Sequence, residues 1–165
     1  MLAIDTIKNL PDLSELKSLG ETALHLTGKS GDFSLSLSFV PPGKIKRLNK
    51  KFRNLDSETD VLSFPMLNIK PERAVEPLKA DDWPSDLDEN GRVFLGDIVI
   101  CPDAVKRQAL ELGHSEARET QYLFAHAILH LLGFDHMNET DKEAMRKVER
   151  QIFDSAQCLN GVKLL

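Results

Sequence analysis

Cysteine is scarce in this chain of 165 residues, and Cys101 and Cys158 form no Cys-x-x-Cys pair. The opening Met1-Leu2-Ala3-Ile4-Asp5 reaches an acid at once, so no secretory leader is expected. Nothing then favours a disulfide framework, and two reduced thiols are expected. Also missing is any apolar run of membrane-spanning length, so the expectation is a cytoplasmic protein. There are no repeats and no convincing domain boundary, and a chain this long can bury a core without staples, which predicts one domain over 1–165. Hydrophobic residues at 41% and charged residues at 28% match ordinary globular usage and argue against a disordered chain. A net charge of −5 gives no general reason to expect a nucleic-acid partner, so the distribution of charge has to decide.

Histidine is where the sequence concentrates its chemistry: three of five lie in His126-Ala127-Ile128-Leu129-His130-Leu131-Leu132-Gly133-Phe134-Asp135-His136. His126 and His130 are four apart and share one face of a helix, one turn above the other. Gly133 can take the left-handed conformation that ends a helix, which lets His136 turn back toward the same point. A lone histidine in an apolar helix is more often a hydrogen-bonded core residue, but pair, glycine stop and third histidine together read as a metal site. Three nitrogen ligands suit zinc or a similar divalent ion and leave a coordination position for water, the arrangement of a catalytic centre. Asp135 is either the carboxylate that orients a ligand histidine or a turn residue. The ligand spacing equals that of metzincin peptidases, yet Ala127 stands where their general-base glutamate would be. The ligands fit a peptidase and the chemistry does not.

Residues 2–7 read as a short strand and about 12–28 as a helix on Leu13, Leu16, Leu19 and Ala23. Phe33 to Phe39 alternates apolar residues with serine, the pattern of a strand with one buried face. Ile45, Leu48 and Phe52 form the apolar stripe of a helix whose remaining residues are unusual. Lys44, Lys46, Arg47, Lys50, Lys51 and Arg53 put six of 21 basic residues into ten positions without an acid. That helix offers either a phosphate-binding edge or a solvated face. Thr59 to Pro65 reads as a strand, and the acidic stretch 66–91 as a surface loop or a lid. Val93 to Ile100 reads as a buried strand whose Gly96-Asp97 step implies a bulge or a close backbone approach. Asp97 there belongs either to the site or to a structural hydrogen bond. Pro102 opens a helix that Gly113 stops. Ser115 caps the histidine helix, which is apolar around nearly its whole girth from Tyr122 to Leu132 and so central to the fold. Thr140 caps a last amphipathic helix on Met145, Val148, Ile152 and Ala156. His25 and His114 receive no role.

His126 to His136, Leu48-Asn49 with Arg53, Asp60 to Pro65 and Leu95 to Ile100 together closely resemble the YbeY family of metal-dependent endoribonucleases. The resemblance implies an α+β fold, a small mixed β-sheet packed against helices, with a zincin-like tri-histidine site on the central helix. It implies one zinc ion held by His126, His130 and His136, Arg53 as the functional arginine at the cleft, and Asp97 as a further polar position of the motif. It also implies single-stranded ribosomal RNA as substrate, with the small ribosomal subunit and its assembly factors as partners, in rRNA maturation and ribosome quality control. Two departures stand out: Ala127 where the family commonly has glycine, and Phe134 where it has tyrosine. Cleavage would use as nucleophile either a water acidified by the ion or the 2′-hydroxyl, with Arg53 on the phosphoryl charge. The rival readings are a non-catalytic, zinc-containing ribosome-assembly factor and a metallopeptidase.

Overall fold

A computed structural model describes residues 1–6 and 13–160, with side chains through 155. Positions 7 and 12, and the side chains of Ala156 and Cys158, lie outside the described set. Strand β1 (Leu2–Thr6) leads through helix α1 (Ser14–Leu26) and short β2 (Lys29–Ser30) to β3 (Phe33–Phe39). Helix α2 (Pro42–Arg53) and strand β4 (Val61–Pro65) follow, then short β5 (Leu78–Lys79) and β6 (Val93–Ile100). Helices α3 (Pro102–Leu112), α4 (Glu116–Leu131) and α5 (Glu139–Asn160) complete the chain.

The four main strands lie in the order β1-β3-β6-β4, with β1, β3 and β6 parallel and β4 antiparallel at one edge. This is the mixed sheet of an α+β fold. Pro65 falls on the edge strand, where a missing N–H leaves no ladder partner unsatisfied. One face of the sheet carries α1 and α4, whose Leu16, Leu19, Ala23, Phe124, Ile128 and Leu131 meet Leu35, Leu37, Leu95 and Ile98 in the main core. The other face carries α2 through a smaller cluster of Ile45, Val40, Leu62 and Val99. Helix α4 also touches α1, α3 and α5, which explains why it is apolar on almost every side.

Several local expectations change in the structure. The serines of β3 are not a wet face throughout: Ser34 is fully buried and its hydroxyl donates to Asp88 at 2.7 Å. The cap of α5 is Asn138 rather than Thr140, its Oδ1 accepting the Asp141 N–H at 2.9 Å, so the helix begins at Glu139. Phe52 is 54% exposed instead of buried, and Asn49 takes the inner position of α2, donating from Nδ2 to the Ser57 carbonyl. At Gly96 the expected close approach is real. It adopts φ 133°, the β3–β6 register shifts beside it, and a Cβ would fall 2.1 Å from the Phe64 carbonyl oxygen.

The segment 66–91 is pinned down rather than a free lid. It forms two short 3₁₀ turns, and β5 pairs with β2. It buries Leu67, Ala74 and Leu78. Lys29, 7% exposed, donates from Nζ to the carbonyls of Thr27, Ala74 and Glu76 at 2.7, 2.6 and 3.0 Å. A buried ammonium is costly unless its donors are met, and here three carbonyls meet them. Lys29 thereby pins the middle of the segment, and nearer its start Ile69 lies close against Gly133 at the end of α4. No helix among the described residues is long and apolar enough to cross a membrane.

Candidate metal centre and cleft

The histidine helix is fixed at both ends by its own sequence. Ser115 caps it, the hydroxyl accepting the Arg118 N–H at 3.1 Å. His114, beside the cap, pairs through Nε2 with buried Glu119 at 3.1 Å, which gives that histidine the structural role its sequence did not disclose. At the far end, Gly133 takes φ 95°, its N–H reaches the His130 carbonyl, and the Phe134 N–H reaches the Leu129 carbonyl. That is a Schellman stop, and it reverses the chain so that His136 returns over the helix. Glycine is required twice over at 133, because a Cβ would also meet Ile69 at 2.7 Å.

The three imidazoles converge. One ligand nitrogen from each of His126, His130 and His136 lies within 4.8 Å of the others. Nδ1 of His126 is 2.7 Å from Oε1 of Glu149, and Nδ1 of His130 is 2.9 Å from the Phe134 carbonyl. Both acceptors fix Nδ1 as the protonated nitrogen, so both Nε2 lone pairs point inward, 3.1 Å apart. Two lone pairs facing each other at that distance repel unless a cation lies between them. Tetrahedral zinc with Zn–N of about 2.0–2.1 Å would place its nitrogens about 3.3 Å apart. The donor set therefore fits a divalent ion, and the outer N–H groups are oriented as metal-binding histidines require. Burial and the neighbouring His126 hold the His130 imidazole down to about 4, which keeps it neutral and ready to ligate at neutral pH.

Asp135 does not orient a ligand. Its Oδ1 accepts the His136 backbone N–H at 2.7 Å, the behaviour of a turn residue. The orienting carboxylate is Glu149, 8% exposed on α5. Its signal was in the sequence: 149 falls on the buried stripe of Met145, Val148 and Ile152, where a carboxylate is expensive without a partner.

The histidines sit in a cleft of about 820 Å³. Its opposite wall is β4 with the residues that follow, Ser63, Pro65, Met66 and Leu67, and the last turn of α2 brings in Asn49 and Arg53. Arg53 is exposed, and its Nη2 donates to the Ser63 carbonyl at 3.0 Å, across the free edge of β4. Arg53 lines the same cleft as the three histidines. Asp97 is not among the cleft-lining residues. Opposite Phe64 in the antiparallel ladder, it shares the face of Leu62 and Val99, which carries α2, while the histidines are on the α4 side. The bulge at Gly96 is thus a feature of the strand itself, and Asp97 beside it stands apart from the cleft lining.

A tri-histidine site with paired outer N–H groups, an open cleft and an arginine on the opposite wall defines a metal-centred hydrolase class rather than a closed structural zinc site. The family model described as endoribonuclease YbeY matches residues 5–157. The chain is 40% identical over 162 residues to the endoribonuclease YbeY of Clostridium botulinum strain 657, covering 94% of this chain and 97% of that one. It is 37% identical to that of Lachnoclostridium phytofermentans, covering 84% of each. A protein of Thermotoga maritima solved in solution shares the fold, with a TM-score of 0.58 at 24% identity over 94% of this chain and 89% of that one. The chain belongs to the endoribonuclease YbeY family.

Proposed function

We propose that this protein is a single-domain, zinc-dependent endoribonuclease that cleaves single-stranded RNA in the maturation and quality control of small-subunit ribosomal RNA in the cytoplasm. The observation that carries the reading is the shared cleft: His126, His130 and His136 converge at one end, and Arg53 stands on the opposite wall. An ion bound by the three histidines would supply Lewis acidity to a phosphoryl oxygen or to a nucleophile. Arg53 holds part of its guanidinium on the Ser63 carbonyl and offers the rest to the phosphoryl charge that grows toward the transition state. Glu149 and the Phe134 carbonyl keep two imidazoles in the ligating tautomer. The cationic α2 gives the polyanion a place to lie.

The test compares metal-loaded and chelated protein on single-stranded RNA, duplex RNA and casein. Metal-dependent cleavage confined to single-stranded RNA is expected. Casein cleavage would move the protein to the peptidases, and RNA binding without cleavage would make it a non-catalytic assembly factor. Ribosomal context is tested by the precursor content of small-subunit RNA in cells carrying His130→Ala.

A further inference from the structure

Phe52 breaks the pattern of its own helix. Ile45 on the same apolar stripe is fully buried, yet Phe52 is 54% exposed. The ring is nevertheless held in place: Phe64 meets it edge to face, centroids 5.1 Å apart at 65°. Phe64 itself is anchored in the cluster of Ile45, Leu62 and Val99. Neither ring lines the metal cleft: the pair lies on the α2 face, around the free edge of β4 from it. Arg53, the residue after Phe52, lines that cleft, and so do Pro65 and Met66, the residues after Phe64.

The surroundings of the ring select its ligand. Lys51 Nζ lies 5.0 Å from the ring centroid, and the last turn of α2 carries Lys50, Lys51 and Arg53 without an acid. A flat apolar ring among cations suits a chain that alternates anions with flat aromatic groups, which is the chemistry of single-stranded nucleic acid. An apolar peptide would gain nothing from those cations. The Lys51 contact is solvent-exposed and weak, so the ammonium can exchange the ring for a phosphate.

We propose that Phe52, backed by Phe64, is a stacking platform for one unpaired nucleobase of the RNA entering the cleft. This rests on the endoribonuclease reading above, and it gives a physical basis for single-strand preference. A base inside a duplex already has both faces covered by its neighbours and cannot use the ring.

The test measures binding, not turnover, in a His130→Ala background that prevents cleavage. Phe52→Leu keeps an apolar contact with Phe64 but lacks the flat face. It should lose about 5- to 100-fold in affinity for a short labelled single-stranded RNA, the range typical of one base–aromatic stack. Affinity for a duplex and the slope of log affinity against log salt should stay unchanged, since no phosphate contact is removed. Phe52→Trp should restore single-strand affinity. Moving one abasic site along the oligomer should find a position at which the parent and the Phe52→Leu variant bind equally. Unchanged single-strand affinity in Phe52→Leu, or an equal loss on duplex, overturns the platform. If the parent protein binds no RNA, the endoribonuclease reading fails first and takes this inference with it. Parent binding that is indifferent to residue 52 removes the platform alone.

Discussion

Changing Glu149 to glutamine exchanges the carboxylate oxygen that lies 2.7 Å from His126 Nδ1 for an amide of the same shape. The amide oxygen can still accept the Nδ1 proton, so the ligating tautomer survives, but a neutral acceptor bonds about half as strongly as a carboxylate. Loss of such an outer partner typically lowers metal affinity about 10- to 100-fold, or about 1.4 to 2.7 kcal/mol. Glu149→Gln should fall near the lower end. Glu149→Ala, which frees the imidazole to rotate, should fall near the upper end. The assay is a competition titration against a chromophoric zinc chelator, run beside thermal unfolding of the metal-free proteins. Metal-free stability should change little in the glutamine variant, because the desolvation cost of a carboxylate that is 8% exposed disappears along with its hydrogen bond. Two folded variants with wild-type zinc affinity would refute the reasoning and leave Glu149 as a packing residue.

The metal-free protein should lose stability as pH falls from about 6.5 toward about 4. In that window folded His130 holds fewer protons than the unfolded chain, and the loss should be on the order of 1–2 kcal/mol given its partial exposure, read by urea unfolding at a series of pH values. Arg53→Ala should lower RNA cleavage by about 100-fold while changing binding much less, and Arg53→Lys should recover only part of it, as measured by single-turnover kinetics. Lys46 and Lys50 are paired with Asp56 at 3.8 and 2.9 Å, so replacing Lys46, Lys50 and Lys51 together should flatten the salt slope of RNA binding by fewer than three units, and Asp56→Asn should tighten binding. Lys29→Met should leave the buried carbonyls of Thr27 and Ala74 without their donor and lower stability by about 2 kcal/mol or more, visible as a lower melting temperature.

The convergence of the three histidines is legible in the sequence because helical periodicity and one glycine suffice to place three side chains at a point. The long strands, the central helix and the caps at Ser115 and Gly113 follow from equally local signals. What stayed hidden depends on contacts between distant segments. Glu149 meets His126 only because α5 packs behind α4, and no spacing within either helix states that partnership. The segment 66–91 is acidic and turn-rich, so its composition implies a loose loop. Its anchoring comes from Lys29, some 45 residues away in the chain, reaching the Ala74 carbonyl. The face that Asp97 takes is hidden for the same reason, since the ladder with β4 and the bulge beside it decide which side of the sheet a strand residue occupies. Phe52 fitted a helical stripe, but the stripe ran past the end of what the sheet could cover.

The cleft also explains how a metzincin-like ligand spacing can serve a different substrate. Ala127 is 1% exposed and brings no carboxylate to the place of the peptidase base. The other acids lining the cleft already have structural partners: Asp60 accepts from the Val61 N–H at 2.7 Å and from Gln108 at 2.9 Å, and Asp135 accepts from the His136 N–H. Glu149 serves His126. An amide substrate is uncharged and supplies no nucleophile, so this arrangement would leave its hydrolysis without a base to take a proton. An RNA strand differs on both counts, since its 2′-hydroxyl lies beside the scissile bond and its phosphodiester is already an anion. The proton that the hydroxyl loses would pass to solvent, and what such a substrate asks of a protein is positive charge at the phosphorus and a fixed backbone on either side. Arg53 and the ion that the three histidines would hold supply the charge within the cleft, and the other cations of α2 lie next to Arg53 on the same helix.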